Sequence, residues 1–188
     1  NDVTDQFGAI TTEAGRLTVT KRVVILTSES ADKEYDGTEL TRPTVTVGGQ
    51  GFVEGEATAT ATGAITEVGT QKNTIEITGG EGYKADNYAI TKYEGTLEIV
   101  ANTKAIVIKA SDASKTYDGT PLTSAEYEYD AALLPEGYTI EAVVEGTITD
   151  YAEGGAANEV TSYKVLDADG NDVTDQFGAI TTEAGRLT

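Results

Sequence analysis

Cysteine, histidine, methionine and tryptophan are all absent from the 188 residues. Each absence removes some chemistry. Without cysteine there is no disulfide, no thiolate nucleophile and no cysteine zinc site. Without histidine the usual proton shuttle at neutral pH is missing, together with the commonest transition-metal ligand. Catalysis would fall to carboxylates, Lys, Tyr or Ser alone, which is restrictive, and the expectation is a non-enzyme without cofactor. Positive charge is scarce as well: 13 Lys and Arg stand against 32 Asp and Glu, a formal net charge of −19. Such a surface repels phosphate backbones and anionic headgroups, which argues against nucleic acid and against direct membrane contact. No apolar run of about eighteen residues occurs, so nothing reads as a membrane span. No signal or sorting segment is recognisable, as expected of an interior piece of a longer protein, and this leaves location open.

What the chain has is repetition. NDVTDQFGAITTEAGRLT fills positions 1–18 and returns unchanged at 171–188. The chain therefore reads as one full period of a tandem array, led by the end of a preceding copy. A weaker repeat lies inside that period. Lys33-Glu34-Tyr35-Asp36-Gly37-Thr38-Glu39-Leu40-Thr41 matches Lys115-Thr116-Tyr117-Asp118-Gly119-Thr120-Pro121-Leu122-Thr123 at an offset of 82, and later matches drift to about 90. The drift places an insertion around Glu153–Gly170. Residues 1–18 are thus expected to be the C-terminal fragment of a previous repeat, 19–101 a first β module and 102–188 a second.

Thr, Val, Ile and Tyr favour strands, and 21 glycines supply tight turns. Alternating or β-branched runs predict strands at 22–27, 44–47, 56–62, 73–78, 88–93 and 96–100. In the second module they fall at 105–110, 126–129, 138–144, 159–165 and 179–182. The runs 88–93 and 96–100 read as a closing pair joined around Gly95, and Ser28–Lys33 as a helical turn. Turn signals about every ten residues predict an all-β fold of two tandem antiparallel β-sandwich-like modules. Only a few residues without Pro or a Gly/Ser linker separate the modules, so they are expected to abut end to end as a rod.

The pattern K-x-Y-D-G-T-x-L-T early in a module, with Asn87-Tyr88…Gly95-Thr96-Leu97 or Asp175-Gln176-Phe177…Gly185-Arg186-Leu187 late in it, resembles the mostly-β, glycine-rich MBG repeats of bacterial surface proteins. The likeness covers both modules. It implies an extracellular, cell-surface, wall-attached adhesin stalk from a Gram-positive-type cell, and no catalytic residues.

Several candidate sites compete with plainer readings. Tyr35-Asp36-Gly37 and Tyr117-Asp118-Gly119 are read as structural turn motifs, glycine supplying positive φ and the ring packing on the core. Lys33 and Lys115 could join a Lys-to-Asn or Lys-to-Asp cross-link, but a solvated place at the turn is the preferred reading. Asp167, Asp169 and Asn171 carry oxygen ligands at alternate positions, a partial calcium-loop pattern without the bidentate Glu of an EF-hand; a hairpin turn through Asp169-Gly170-Asn171 accounts for them without metal. Tyr127, Tyr129, Tyr138 and Tyr151 could grip a sugar but suit the core of a small fold lacking Trp. Among 32 acids a carboxylate pair can always be chosen, so none is diagnostic.

Two functions remain in view. One is a stalk or spacer unit that projects a distal binding domain, its partners being neighbouring repeats of the same chain. The other is a multivalent adhesive module holding host glycan or protein weakly and gaining by repetition. Residues 1–18, parted from their own sheet, are expected to be disordered up to about Gly15, to pair on an exposed edge, or to replace 171–188 of a neighbouring molecule in a strand swap.

Overall fold

The structure, a computed structural model, describes Gly8 and residues 11–188. Part of the expected C-terminal fragment 1–18 therefore lies outside the described residues. From Thr11 to Lys21 every residue is exposed and none belongs to a strand.

The fold is all-β. Residues 22–100 form β1 (Arg22–Ser28), β2 (Ala31–Glu34), β3 (Leu40–Thr41), β4 (Val45–Gly49), β5 (Ala57–Ala61), β6 (Ala64–Ile65), β7 (Gly69–Asn73), β8 (Ile75–Gly79), β9 (Tyr88–Tyr93) and β10 (Gly95–Val100). Residues 106–187 form β11 (Ile106–Ala110), β12 (Tyr127–Glu128), β13 (Thr139–Glu145), β14 (Ala156–Leu166), β15 (Ile180–Glu183) and β16 (Gly185–Leu187). The described helical content is three short 3-10 turns, at Ala85–Asn87, Ala131–Leu133 and Thr174–Gln176. No helix among the described residues is long and apolar enough to cross a membrane.

The sheets are small and several, and every ladder stays within 19–101 or within 102–188. The two sets repeat one another. In the first, β1 lies between antiparallel β4 and parallel β9; in the second, β11 lies between antiparallel β12 and parallel β15. Val24 faces Ile90 as Ile106 faces Ile180, and Leu40 faces Ile65 as Leu122 faces Ile148. Ala31 pairs in parallel with Leu97, as Ala113 does with Leu187. Strand β14 does alone what β7 and β8 do in sequence, with a register shift at Val143/Val144 where the second set carries extra residues.

Three expectations are corrected. The sheets are mixed and not purely antiparallel, because β9, β2 and β15 meet their partners in parallel. Long connections bring β9 and β15 back to the first strand of their set, which only a crossover permits. Strands β9 and β10 do not pair with each other: β9 joins β1 while β10 joins β2 and β7, so the chain changes sheet at Gly95. Ser28–Lys33 is not helical, since Ala31–Glu34 runs along β10.

The change of sheet explains one glycine and one asparagine in each set. A Cβ on Gly95 would collide with the Glu29 carbonyl, and one on Gly185 would lie 2.5 Å from the Ser111 carbonyl. Opposite Gly95 sits the fully buried Asn73, whose Nδ2 donates to the carbonyls of Glu29 at 3.0 Å and Arg42 at 2.8 Å. Its Oδ1 accepts from the Gly63 amide at 3.2 Å. Asn158, opposite Gly185, donates to the Ser111 carbonyl at 3.0 Å, while its Oδ1 has no partner among the described residues. Each such bond is worth about 1 kcal/mol, and more where its loss strands a buried carbonyl.

Alternation along the strands then makes the core. Val24 and Leu26 of β1 pack with Ile75 and Tyr88 in one cluster. Leu97 and Ile99 of β10 belong to a second cluster that also holds Ile106, Ile108, Ile140, Val165 and Phe177. Burying side chains of this size contributes roughly 1.5–3 kcal/mol each. That second core draws on both sides of the 101/102 boundary.

Candidate functional site

The K-x-Y-D-G-T segments fold into two clasps built on the same hydrogen bonds. Lys33 Nζ lies 2.6 Å from Asp36 Oδ1 and donates at 2.6 Å to both the carbonyl and the hydroxyl of Thr38. Asp36 Oδ1 also accepts from the Thr38 amide at 2.9 Å and its hydroxyl at 2.7 Å. In the second clasp, Lys115 Nζ lies 2.8 Å from Asp118 Oδ1 and reaches the Thr120 carbonyl at 2.5 Å and hydroxyl at 2.7 Å. The Thr120 amide donates to Asp118 at 2.9 Å. Gly37 and Gly119, at φ +76° and +78°, close the two turns.

The lysines are thus working members of the loop and not merely solvated, a role hidden in the sequence because it needs four residues to fold back together. Partial burial opposes ionisation of Asp36, but hydrogen bonds from Lys33 and Thr38 prevail and bring its carboxyl down to about 2. Asp118 is lowered likewise, chiefly by Lys115. Each clasp is local and part-exposed, with no buried Asn or Asp beside its lysine among the described hydrogen bonds.

The tyrosines of the two clasps have different surroundings. Tyr35 is 3% exposed. Its ring meets Phe177 edge-on at 5.7 Å and Tyr138 at 6.4 Å, and its hydroxyl lies 3.0 Å from the Tyr138 hydroxyl. Burial, then the bond to Tyr138, then nearby carboxylates including Asp167 and Glu67 push the Tyr35 phenol well above its usual range. Around this ring the polar groups of the seam are paired. Asn102 Nδ2 donates to the Tyr35 carbonyl at 2.9 Å, and the Asn102 backbone bonds Gln176 and Gly178 at 2.9 Å each. The Val68 amide donates to Gln176 Oε1 at 2.6 Å, and Thr103 Oγ1 donates to Glu34 at 2.8 Å. The seam between the two halves is a packed, hydrogen-bonded interface.

Tyr117 has no such cover. It is 65% exposed, and it borders a concavity with Leu122, Ile148 and Tyr151, the last 88% exposed.

The other candidates resolve into local structure. Asp167 Oδ1 accepts from the amides of Asp169 at 2.9 Å and Asn171 at 2.8 Å, and Oδ2 accepts from Asn171 Nδ2 at 2.9 Å. These bonds, led by the Asn171 side chain, lower the Asp167 carboxyl. Asp169 and Asn171 are therefore partners of Asp167 in one turn. No group of three or more Asp and Glu side chains that could hold a metal occurs among the described residues. Tyr127 and Tyr129 stack at 6.4 Å and use both hydroxyls on Ile140, Tyr127 donating to its carbonyl at 3.0 Å and Tyr129 accepting its amide at 3.1 Å. Their rings border the core and their polar ends hold β13. Tyr138 belongs to the seam, and Tyr151 alone of the four stands free.

Residues missed in the sequence are the polar ones that close the seam: Asn102, Gln176 and the backbone of Val68. The short stretch after Val100 was the available signal, since so brief a connection must satisfy its amides nearby. No protein-family model matches the chain, and comparison with curated proteins gives no match. The geometry of the seam therefore carries the functional reading.

Proposed function

We propose that the chain is a structural stalk or spacer unit of an extracellular bacterial surface adhesin, attached to the cell wall and holding a distal binding domain away from it. Each half acts as a sandwich-like β module, and the modules stack end to end as a rod with neighbouring repeats as their partners. The observation that carries this reading is the seam. Ten buried side chains from both halves, Tyr35 to Phe177, form one core across it. A unit built this way transmits its length instead of folding back on itself, and an acidic surface keeps a long array of such units soluble.

Small-angle scattering tests the reading. The maximum dimension should grow in proportion to the number of repeats joined, whereas a plateau or a flexible-chain profile contradicts it. A binding screen against glycans and matrix proteins addresses the adhesive alternative, and a saturable ligand for this chain would replace the spacer reading. In solution, residues 1–18 compete with their identical copy at 171–188 for the same sheet of another molecule. Concentration-dependent oligomers that vanish on deleting residues 1–14 are expected; a strictly monomeric mass at high concentration excludes the exchange.

A further inference from the structure

We infer that the exposed Tyr117 face is a docking surface for the Glu56–Asn87–Tyr88 end of residues 19–101 of a second copy of this chain. This docking rests on the array reading proposed for the chain and specifies the surfaces that would meet in it.

One seam is already present and shows what such a contact requires. Tyr35 is covered by a 3-10 turn with the aromatic residue after it, Thr174–Gln176 and Phe177, and by Tyr138 just ahead of β13. Residues 19–101 carry the counterparts of both at the end away from Tyr35. A 3-10 turn at Ala85–Asn87 is followed by Tyr88, and Glu56 stands just ahead of β5. Together with Thr20 and Lys21 these residues border one open concavity. The Tyr117 face in turn repeats the Tyr35 face: the same clasp, the same Leu–Ile bridge beneath it, and Tyr151 where Val68 stands in the first half.

The chemistry of the two open faces matches. In place of the Tyr138 hydroxyl, the Tyr117 hydroxyl would find the Glu56 carboxylate, a stronger acceptor. Glu56 Oε2 already accepts the Tyr88 hydroxyl at 2.5 Å, which fixes its position. Asn87 takes the place of Gln176 as acceptor for the amide of residue 151. Asp150, beside Tyr117, would approach Lys21.

The order of the chain agrees as well. Thr18 closes the first copy of the eighteen-residue segment and runs directly into Val19 and β1, so a sequence ending as Thr188 does is followed, within this very chain, by the docking half. Gly15 to Val24 is two residues shorter than Gly95 to Ile106, its counterpart at the existing seam. The second seam is therefore the tighter of the two.

The test extends the full chain beyond Thr188 with its own residues 19–101, so that the join Thr188–Val19 recreates Thr18–Val19. With no native cysteine, introduced pairs can be read alone. Tyr151→Cys is combined with Asn87→Cys of the added copy and treated with a short bismaleimide; Val68→Cys with Gln176→Cys is the reference. Closure of both pairs is expected. Closure of the reference with the new pair left open overturns the docking. Independently, Tyr117→Ala should lower the melting midpoint of the extended chain and leave that of the 188-residue chain unchanged; an equal effect in both, or none, overturns it too. Scattering from the extended chain separates the two ideas. A stiff particle with the new pair open leaves the spacer reading and removes the docking, while independently tumbling units remove both.

Discussion

Lys33–Thr38 and Lys115–Thr120 are the same loop made twice, with the same lysine clasp, the same aspartate acceptor and the same glycine at positive φ. One of them ends in a tyrosine wedged between Phe177 and Tyr138, the other in a tyrosine facing solvent. The loop is therefore self-sufficient, and the seam is something added to it. Local hydrogen bonds set the shape of the loop, and an apposed aromatic surface decides whether its tyrosine is covered.

Removing the rings separates the two loops most strongly. Tyr35→Ala should cost about 3–5 kcal/mol in urea or thermal unfolding, while Tyr117→Ala should stay within about 0.5 kcal/mol. Equal costs would mean that the seam holds nothing. Next come the glycines. Gly37→Ala and Gly119→Ala both incur about 1–2 kcal/mol for left-handed backbone. At Gly37 the new methyl also drives into the Tyr138 hydroxyl, whereas nothing lies within 4 Å at Gly119. Gly37→Ala should thus exceed Gly119→Ala by about 1 kcal/mol or more. Asn102→Ala strands the buried Tyr35 carbonyl and should cost about 1–3 kcal/mol, with no counterpart at the open face.

The smallest effects are those of pH, and they divide the loops differently. The Asp36 carboxyl falls from 3.8 to about 2 on folding. Its contribution is present above pH 3.8 and is lost as pH falls through about 2. Asp118 is shifted in the same direction, so acid should weaken both loops, and Asp36→Asn should flatten part of the acid limb. At the alkaline end the two loops separate, because only the first holds a phenol shifted by the seam; Tyr88, away from the seam, is raised too, chiefly by its bond to Glu56. The Tyr35 phenol is raised, so its contribution holds below the ordinary phenol value of about 10 and is lost above it. Tyrosine absorbance followed with pH should show Tyr35 and Tyr88 titrating late, and Tyr35→Phe should remove the seam's share while leaving that of Tyr88.

Much of the fold was legible in the sequence, and the limits have physical causes. Strands such as β1, β5, β8, β10 and β11 were visible because one face is buried and the side chains alternate. Strand β2 was not. Ala31-Asp32-Lys33-Glu34 has no apolar alternation, and it is extended because β10 offers it a parallel edge. The parallel pairings escaped for the same reason: nothing in a strand announces which distant strand will return beside it. The plainest case is the repeated segment. Thr11–Thr18 and Thr181–Thr188 are the same eight residues, yet Leu17 is 100% exposed outside any strand and Leu187 is 0% exposed in β16. Strand formation here is decided by tertiary context and not by local preference. The motif tyrosines and glycines could be singled out by their repetition, whereas the difference between Tyr35 and Tyr117 lies wholly in what covers them.

The seam fixes one half of the chain against the other. Residual dipolar couplings measured for backbone amides in 22–100 and 106–187, in a single alignment medium, address this directly. A single alignment tensor, equal in magnitude and orientation for both halves, is the predicted result. Two tensors of different magnitude would mean that the halves move independently and that the shared core around Tyr35 does not hold them.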